Sequence, residues 1–217
     1  MKTRSKGKKR HMKIFALIAL LLVVAAGRLE AGTIVNGSFE NVLTGWVPSN
    51  SLASTVTSYD VYAPIEQSFF ALLEAGNEDT YTTLSQNFSA SAGQTISGYG
   101  FFVANDELPF NDDAYVKIFG DAQQLLFSSS VLDVGDFGVT IWTSFAYTFL
   151  IGGNFTIEAG VRNVGDGDPL FASVLGLDDV QLSPEPVPEP TSVLIWSLGA
   201  IGVMFARRSR RFKLTGE

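Results

Sequence analysis

The sequence predicts an all-β fold: a β-sandwich of two sheets, of which the jelly roll is the simplest form. Short runs rich in β-branched and aromatic residues are separated by clusters of Gly, Asn, Asp and Ser. Polar and apolar side chains alternate over 95–101 and again over 144–149, which is the period of a half-buried strand. Between residues 32 and 183 the chain carries 14 of its 17 Phe residues, enough to fill a core between two sheets.

Ten strands are predicted in this domain, each bounded by residues that favour turns. The clearest pair is 94–103 and 141–150, which contain the two alternating segments, and 175–182 closes the domain before a proline-rich stretch. In chain order the predicted strands are 33–39, 53–62, 69–74, 81–89, 94–103, 115–119, 124–128, 141–150, 155–162 and 175–182.

The domain over 32–183 is strongly acidic. It holds 18 of the chain's 22 acidic residues but only Lys117 and Arg162 of its 15 basic ones, so its formal net charge is −16. Such a surface repels nucleic acids and anionic lipids and attracts divalent cations. The chain has no cysteine, and its one histidine, His11, precedes the domain. The domain therefore lacks the residues for a Ser-His-Asp triad, a Cys-His pair or a histidine zinc site.

Residues 1–31 are predicted to be a secretory signal peptide. Seven basic residues between positions 2 and 13 precede an apolar run over 14–27. Met12 followed by Lys13 is already a sufficient start, so translation from either Met1 or Met12 fits the pattern. Cleavage after Ala26 and cleavage after Ala31 both remain open.

The C-terminal end predicts a sorting signal in three parts. A linker over 184–190 contains the motif Val187-Pro188-Glu189-Pro190, and an apolar run over 191–206 follows it. As a helix this run is about 24 Å long, somewhat shorter than a hydrocarbon core of roughly 30 Å. The run is followed by a cluster of arginines expected to stay on the cytoplasmic side of the membrane: Arg207, Arg208, Arg210 and Arg211.

These three parts resemble the PEP-CTERM sorting domain of Gram-negative bacteria that make extracellular polysaccharide. The resemblance covers residues 187–211 and implies recognition by a membrane-embedded exosortase while the precursor is anchored in the inner membrane. It further implies delivery to the cell surface or the extracellular matrix, with 191–217 acting as a short transmembrane sorting helix and basic tail. The alternative is an ordinary single-pass anchor behind a proline-rich linker.

The two ends of the domain resemble the first and last strands of galactose-binding-like jelly rolls, the fold of many carbohydrate-binding modules. The segments concerned are 36–40 and 177–182. The resemblance implies a structural Ca²⁺ ion held by Glu40 and Asp178. Asp178 shares the parity of Val180 and Leu182, so we expect it to face the interior and Asp179 to face solvent. The alternative is that both carboxylates accept backbone N–H groups near the strand ends.

Together these patterns predict an exported, non-enzymatic surface or matrix protein with a structural or adhesive role, compatible with weak affinity for glycans. The alternative is a polysaccharide-active enzyme, a glycoside hydrolase or lyase, which would need two carboxylates across a cleft. Trp46 and Trp142 are assigned to packing, so the sequence names no glycan-binding residue. The acidic loops 106–113 and 165–169 are interpreted as solvated turns, although either could bind calcium.

Overall fold

The computed structural model describes residues 32–120 and 123–184. The predicted signal peptide (1–31), the Pro-Glu-Pro motif (187–190) and the sorting helix with its basic tail (191–217) lie outside the described residues. In the part of the chain that is described, no helix has the length and apolar character needed to cross a membrane.

Within the described residues, ten strands form two five-stranded sheets in which every neighbouring pair is antiparallel. In spatial order, the first sheet consists of β1 (Val47–Pro48), β4 (Thr82–Ala90), β9 (Gly153–Arg162), β6 (Asp113–Phe119) and β7 (Gln124–Ser130). The second consists of β2 (Ala53–Val56), β3 (Phe70–Glu74), β10 (Val174–Leu182), β5 (Thr95–Val103) and β8 (Thr143–Thr148). A single helical turn, α1 (Val131–Val134), follows β7.

The strand order is that of a jelly roll. β3 pairs with β10, β4 with β9, β5 with β8 and β6 with β7, so the chain from β3 to β10 is one long hairpin wrapped around the core. The first and third of these pairs lie in the second sheet, and the other two lie in the first sheet. The predicted jelly-roll β-sandwich is therefore confirmed, with β1 and β2 added at one edge of each sheet.

The main core lies between the two sheets and follows the period of two. In β4, Leu84, Gln86 and Phe88 are buried while their neighbours are half-buried or exposed. Leu175 of β10 and Phe102 of β5 are fully buried against them from the second sheet. Gln86 is the polar member of this row, and its amide bonds both the N–H and the carbonyl of Val35, at 2.7 and 2.9 Å. It thereby fixes the segment before β1 to the first sheet.

The predicted strand over 33–39 is wrong, because this segment consists of bends and turns. Asn36 and Phe39 have φ angles of 53° and 58°, which are incompatible with an extended strand. The Asn36 side chain stabilises the turn by accepting the Asn41 N–H at 3.0 Å and donating to the Val42 carbonyl at 2.9 Å. Trp46 packs 5.2 Å from Phe39 and is 5% exposed, in agreement with its predicted packing role.

A second apolar cluster covers part of the outer face of the second sheet. It contains Tyr62, Phe70 and Phe101, and the segment between β2 and β3 supplies the tyrosine. Trp142 packs edge-on against Phe101, with ring centroids 4.6 Å apart, and donates its indole N–H to the Ala63 carbonyl at 2.9 Å. Trp142 thus fastens the segment to the sheet, which agrees with the packing role predicted for it.

Candidate functional site

The outer face of the first sheet carries a concentration of polar and aromatic side chains. β9 lies between β4 and β6, so Glu158 is flanked by Ser85 on one side and by Lys117 on the other. One pair further along, Gly160 is flanked by Thr83 and Tyr115. These positions alternate with core residues of the same strands, such as Leu84, Val116 and Ala159, and they therefore face away from the core. Tyr115 and Gly160 are buried nonetheless, because the Tyr115 ring lies over Gly160.

Two tyrosines form the centre of this face. The rings of Tyr81 and Tyr115 meet edge to face, with centroids 4.9 Å apart. The Lys117 ammonium lies 3.8 Å from the centroid of the Tyr115 ring, and the Arg162 guanidinium lies 4.9 Å from that of Tyr81. A Cβ atom at Gly160 would lie 2.7 Å from Tyr115 Cζ, so a glycine is needed for this ring to cross β9.

The two basic residues of the domain are both on this face, and each has an acidic neighbour. Arg162 donates from Nε and Nη2 to Asp113 Oδ2 at 2.8 and 2.7 Å. The Tyr81 hydroxyl donates to the other oxygen of Asp113. The Tyr115 hydroxyl donates to Glu158 Oε1 at 2.7 Å, and Glu158 pairs with Lys117 across β9 and β6. This face therefore holds two cationic side chains and two carboxylates in fixed positions.

The tyrosine hydroxyls on this face remain protonated at neutral pH. Burial, followed by the hydrogen bond to Asp113, raises the pKa of Tyr81 to about 12. Burial and the hydrogen bond to Glu158 also raise the pKa of Tyr115. The two phenols therefore act as neutral donors to the carboxylates beside them.

The face continues along β4 and β9 into an open groove of about 360 Å³. Two cross-strand pairs line it: Ser89 donates to Asn154 Oδ1 at 2.8 Å, and Thr156 donates to Asn87 Oδ1 at 2.6 Å. Asn87 and Asn154 both line the groove, and neither donates its amide N–H₂ to another of the described residues. From Gly160 to Asn154 the row of outward side chains is about 20 Å long.

The predicted site residues Glu40 and Asp178 both contact the segment that precedes β3. Asp178 Oδ2 accepts the N–H groups of Ile65 and Glu66 at 2.7 and 3.2 Å. Glu40 Oε1 accepts the N–H groups of Ser68 and Phe69, both at 2.8 Å. These contacts correspond to the alternative role considered for the pair, in which the carboxylates accept backbone N–H groups. They leave the predicted calcium ion untested, because carboxylate oxygens can accept a hydrogen bond and ligate a cation together.

The electrostatics around Asp178 are unfavourable for its ionised form. Burial raises the pKa of Asp178 to about 6 even though its oxygens accept three N–H groups. A hydrogen bond with Asp179 raises the pKa of Glu66, and the charge of Glu40 adds to that effect. Four acids therefore share one neighbourhood. Across residues 32–120 and 123–184, however, no three Asp, Glu, His or Cys side chains form a group able to hold a metal ion.

The parity argument for Asp178 is wrong, although its predicted burial is observed. Asp178 is 0% exposed, but the pairing of β10 with β5 is interrupted by a bulge between Asp178 and Gln181, where Asp179 has a φ of 51°. Leu177 and Val180 both face the main core, so the bulge reverses the alternation between them. Asp178 thus shares the outer face of the sheet with Val174 and is buried by the segment before β3.

No protein-family model and no curated protein matches this chain. Solved structures of carbohydrate-binding modules match it at low identity. TmCBM61 in complex with β-1,4-galactotriose matches with a TM-score of 0.47 and 16% identity over 69% of this chain and 96% of its own. A family 16 carbohydrate-binding module matches with a TM-score of 0.43 and 16% identity over 70% of this chain and 99% of its own.

The N-terminal cellulose-binding domain of the β-1,4-glucanase C of Cellulomonas fimi matches with a TM-score of 0.37 and 18% identity, over 71% of this chain and 98% of its own. At these TM-scores the likeness carries no argument about ligands. The assignment of the fold rests on the strand order and register of this chain.

Sequence reasoning missed every residue of the face on the first sheet. Tyr115 and Glu158 lie on β6 and β9, and Tyr81 directly precedes β4; these segments are far apart in the chain and become neighbours only through the order β4-β9-β6. One signal was present in the sequence: Lys117 and Arg162, the only basic residues between 32 and 183, both fall in predicted strands. Two isolated cations on strands of an acidic domain mark a face that differs from the rest of the surface.

Proposed function

We propose that the chain is an exported surface or matrix protein whose β-sandwich binds an extracellular polysaccharide on the outer face of the first sheet. The observation that carries the proposal is the placement of both basic residues of a domain of net charge −16 beside two tyrosines and two carboxylates on that face.

The chemistry of the face suits a sugar chain. Sugar hydroxyls both donate and accept hydrogen bonds, and Glu158, Lys117 and the amides of Asn87 and Asn154 offer both kinds of partner. Tyr81 is half-buried, so part of its ring is accessible to the apolar face of a sugar. An open row of about 20 Å accommodates a chain rather than a single small molecule.

Export and sorting belong to the same proposal and are supported by the sequence of the two ends. The basic and apolar segments of residues 1–31 and the Pro-Glu-Pro motif at 188–190 direct the precursor to the inner membrane and then to an exosortase. The domain reaches the cell surface or matrix, where it has a structural or adhesive role. A structural calcium ion at Glu40 and Asp178 is part of the proposal, with backbone carbonyls as its other ligands.

The test is titration of the full chain, purified in a nonionic detergent, with a panel of soluble oligosaccharides that includes β-1,4-galactotriose. Asn87→Ala and Tyr81→Ala should each weaken binding about 3- to 10-fold, the loss expected for one or two hydrogen bonds or a stacking contact. Thr95→Ala is the matched control, because Thr95 forms a similar exposed cross-strand pair with Thr148, at 2.8 Å, in the second sheet.

Affinity that falls equally in Thr95→Ala, or stays unchanged in Asn87→Ala and Tyr81→Ala, would refute this face as the binding surface. Cleavage of the bound oligosaccharide during the titration would instead favour the enzyme that the sequence left as an alternative.

A further inference from the structure

Two buried carboxylates lie at the end of the sandwich where β5 leads into β6. Asp106 and Asp112 are 3% and 0% exposed. In each, Oδ1 accepts one backbone N–H, from Glu107 at 2.7 Å and from Val164 at 2.8 Å. In each, Oδ2 is buried and has no hydrogen-bond partner. Across residues 32–120 and 123–184 these are the only two buried side-chain polar atoms without one.

The surroundings of both carboxylates are acidic. Burial raises the pKa of Asp106, and the charges of Asp166, Glu107 and Asp168 raise it further. Burial also raises the pKa of Asp112, which the hydroxyl of Ser173 partly offsets and the charge of Asp106 increases again. The loop between β9 and β10 therefore brings two more aspartates to the same end of the sandwich.

No basic residue of the domain compensates these charges. Lys117 lies on the Tyr115 ring, and Arg162 is bound to Asp113, whose side chain is on the outer face of the first sheet. A buried, ionised carboxylate oxygen without a hydrogen-bond partner is unfavourable, because it has lost its hydration without gaining a replacement. A proton would neutralise one carboxyl group but leave the charges of the β9–β10 loop uncompensated. A divalent cation would neutralise both oxygens together.

We propose that Asp106 Oδ2 and Asp112 Oδ2 bind one Ca²⁺ ion, which holds the two ends of the β5–β6 loop together. Ca²⁺ takes six to eight oxygen ligands in a flexible arrangement, so the two carboxylates are completed by backbone carbonyls and by water. Mg²⁺ suits the site less well, because it demands a near-ideal octahedron and loses its water reluctantly.

This ion is separate from the one predicted at Glu40 and Asp178. Val174, at the start of β10, pairs with Val103 at the end of β5, and Asp106 follows three residues later. Asp178 lies four residues further along β10 than Val174 and pairs with Tyr99. Four residues of a strand span about 13 Å. The two sites therefore lie at different levels of the second sheet.

The test is equilibrium dialysis of the full chain against radioactive calcium, which counts bound ions. Asp106→Asn and Asp112→Asn should each bind one ion fewer than the wild type. Glu107→Gln removes the same charge from an exposed position of the same loop and should bind as many ions as the wild type. The same four proteins are then melted in EDTA and in 2 mM CaCl₂.

Loss of one ion should make the calcium-induced rise in melting temperature about 5–10 °C smaller in Asp106→Asn and Asp112→Asn than in the wild type or Glu107→Gln. This is the shift expected when the calcium concentration is 100 times Kd. In EDTA both Asn variants should melt no lower than the wild type, because the amide replaces an unpaired charge, and this shows that they fold. A wild type that binds no calcium, or Asn variants that bind as many ions as the wild type, would overturn the proposal.

Discussion

Asp178 should make the stability of this protein depend on pH in a direction opposite to that of an ordinary ion-paired aspartate. Burial raises its pKa from 3.8 to about 6 in the folded chain, so the folded state binds a proton that the unfolded state has already lost. The contribution of Asp178 to the free energy of unfolding in EDTA should therefore fall as the pH rises from about 4 to about 6 and then level off. The contribution of this one group over that interval is about 3 kcal/mol.

The measurement is urea unfolding of the full chain in EDTA between pH 4 and 7.5, compared with Asp178→Asn. The variant is neutral at every pH, so the difference in free energy of unfolding between the two proteins isolates the titration of Asp178. It should change by about 3 kcal/mol across the interval, and the variant should gain relative to the wild type as the pH rises. Asp60→Asn controls for the loss of one exposed negative charge.

Repeating the series in 2 mM CaCl₂ tests the ion predicted at Glu40 and Asp178. A bound cation favours the ionised carboxylate, so the loss of wild-type stability towards neutral pH should disappear. A difference that is flat in EDTA would refute the buried, uncompensated state of Asp178. A difference that changes with pH equally in EDTA and in CaCl₂ would refute the ion.

Two further predictions concern the second sheet and the C-terminus. Gly176→Ala should lower the free energy of unfolding by about 3 kcal/mol or more, because the new Cβ would lie 2.0 Å from Phe101 Cε1. Gly100→Ala is the control and should change this free energy by less than about 1 kcal/mol, because the atom nearest to its new Cβ is 3.5 Å away. Equal losses for the two variants in denaturant unfolding would refute this packing. The resemblance of 187–211 to the sorting domain implies cleavage by the exosortase near the Pro-Glu-Pro motif, so protein extracted from the cell surface should lack residues beyond about Pro190. Recovery of peptides from 193–217 by mass spectrometry in most molecules would favour a plain membrane anchor.

Most of the fold could be predicted from the sequence, because polar and apolar side chains alternate along a strand that has one buried face. The alternation over 95–101 and 144–149 correctly indicated β5 and β8, which also proved to be neighbours. The prediction over 33–39 failed because its conformation is set by a side chain: Asn36 bonds the backbone of residues 41–44 and holds a turn that no periodicity reveals.

The bulge in β10 shows a second limit. In the sequence of 177–182 two adjacent aspartates separate Leu177 from Val180, and in the structure the positive φ of Asp179 reverses the side to which later residues point. Burial of Asp178 was predicted from its parity with Val180, which the bulge breaks, and Asp178 is buried instead by the segment before β3.

The candidate face on the first sheet could not be found from local sequence at all. Tyr81, Tyr115 and Glu158 become neighbours through long-range pairing, and each alone reads as an ordinary strand residue. Asp106 and Asp112 belong to a single loop, 106–113, whose sequence favours a solvated turn, and only the three-dimensional structure shows that both are buried. In both cases the missing information is the packing of distant segments, which composition and spacing do not contain.

Glycan binding on the first sheet is tested most directly by a crystal structure of the protein with an oligosaccharide from the titration panel bound to it. The sugar chain should lie across β4, β9 and β6, in contact with Tyr81, Glu158 or Lys117, and should extend towards Asn87. A sugar bound instead to the outer face of the second sheet, or to the loops at either end of the sandwich, would contradict this placement.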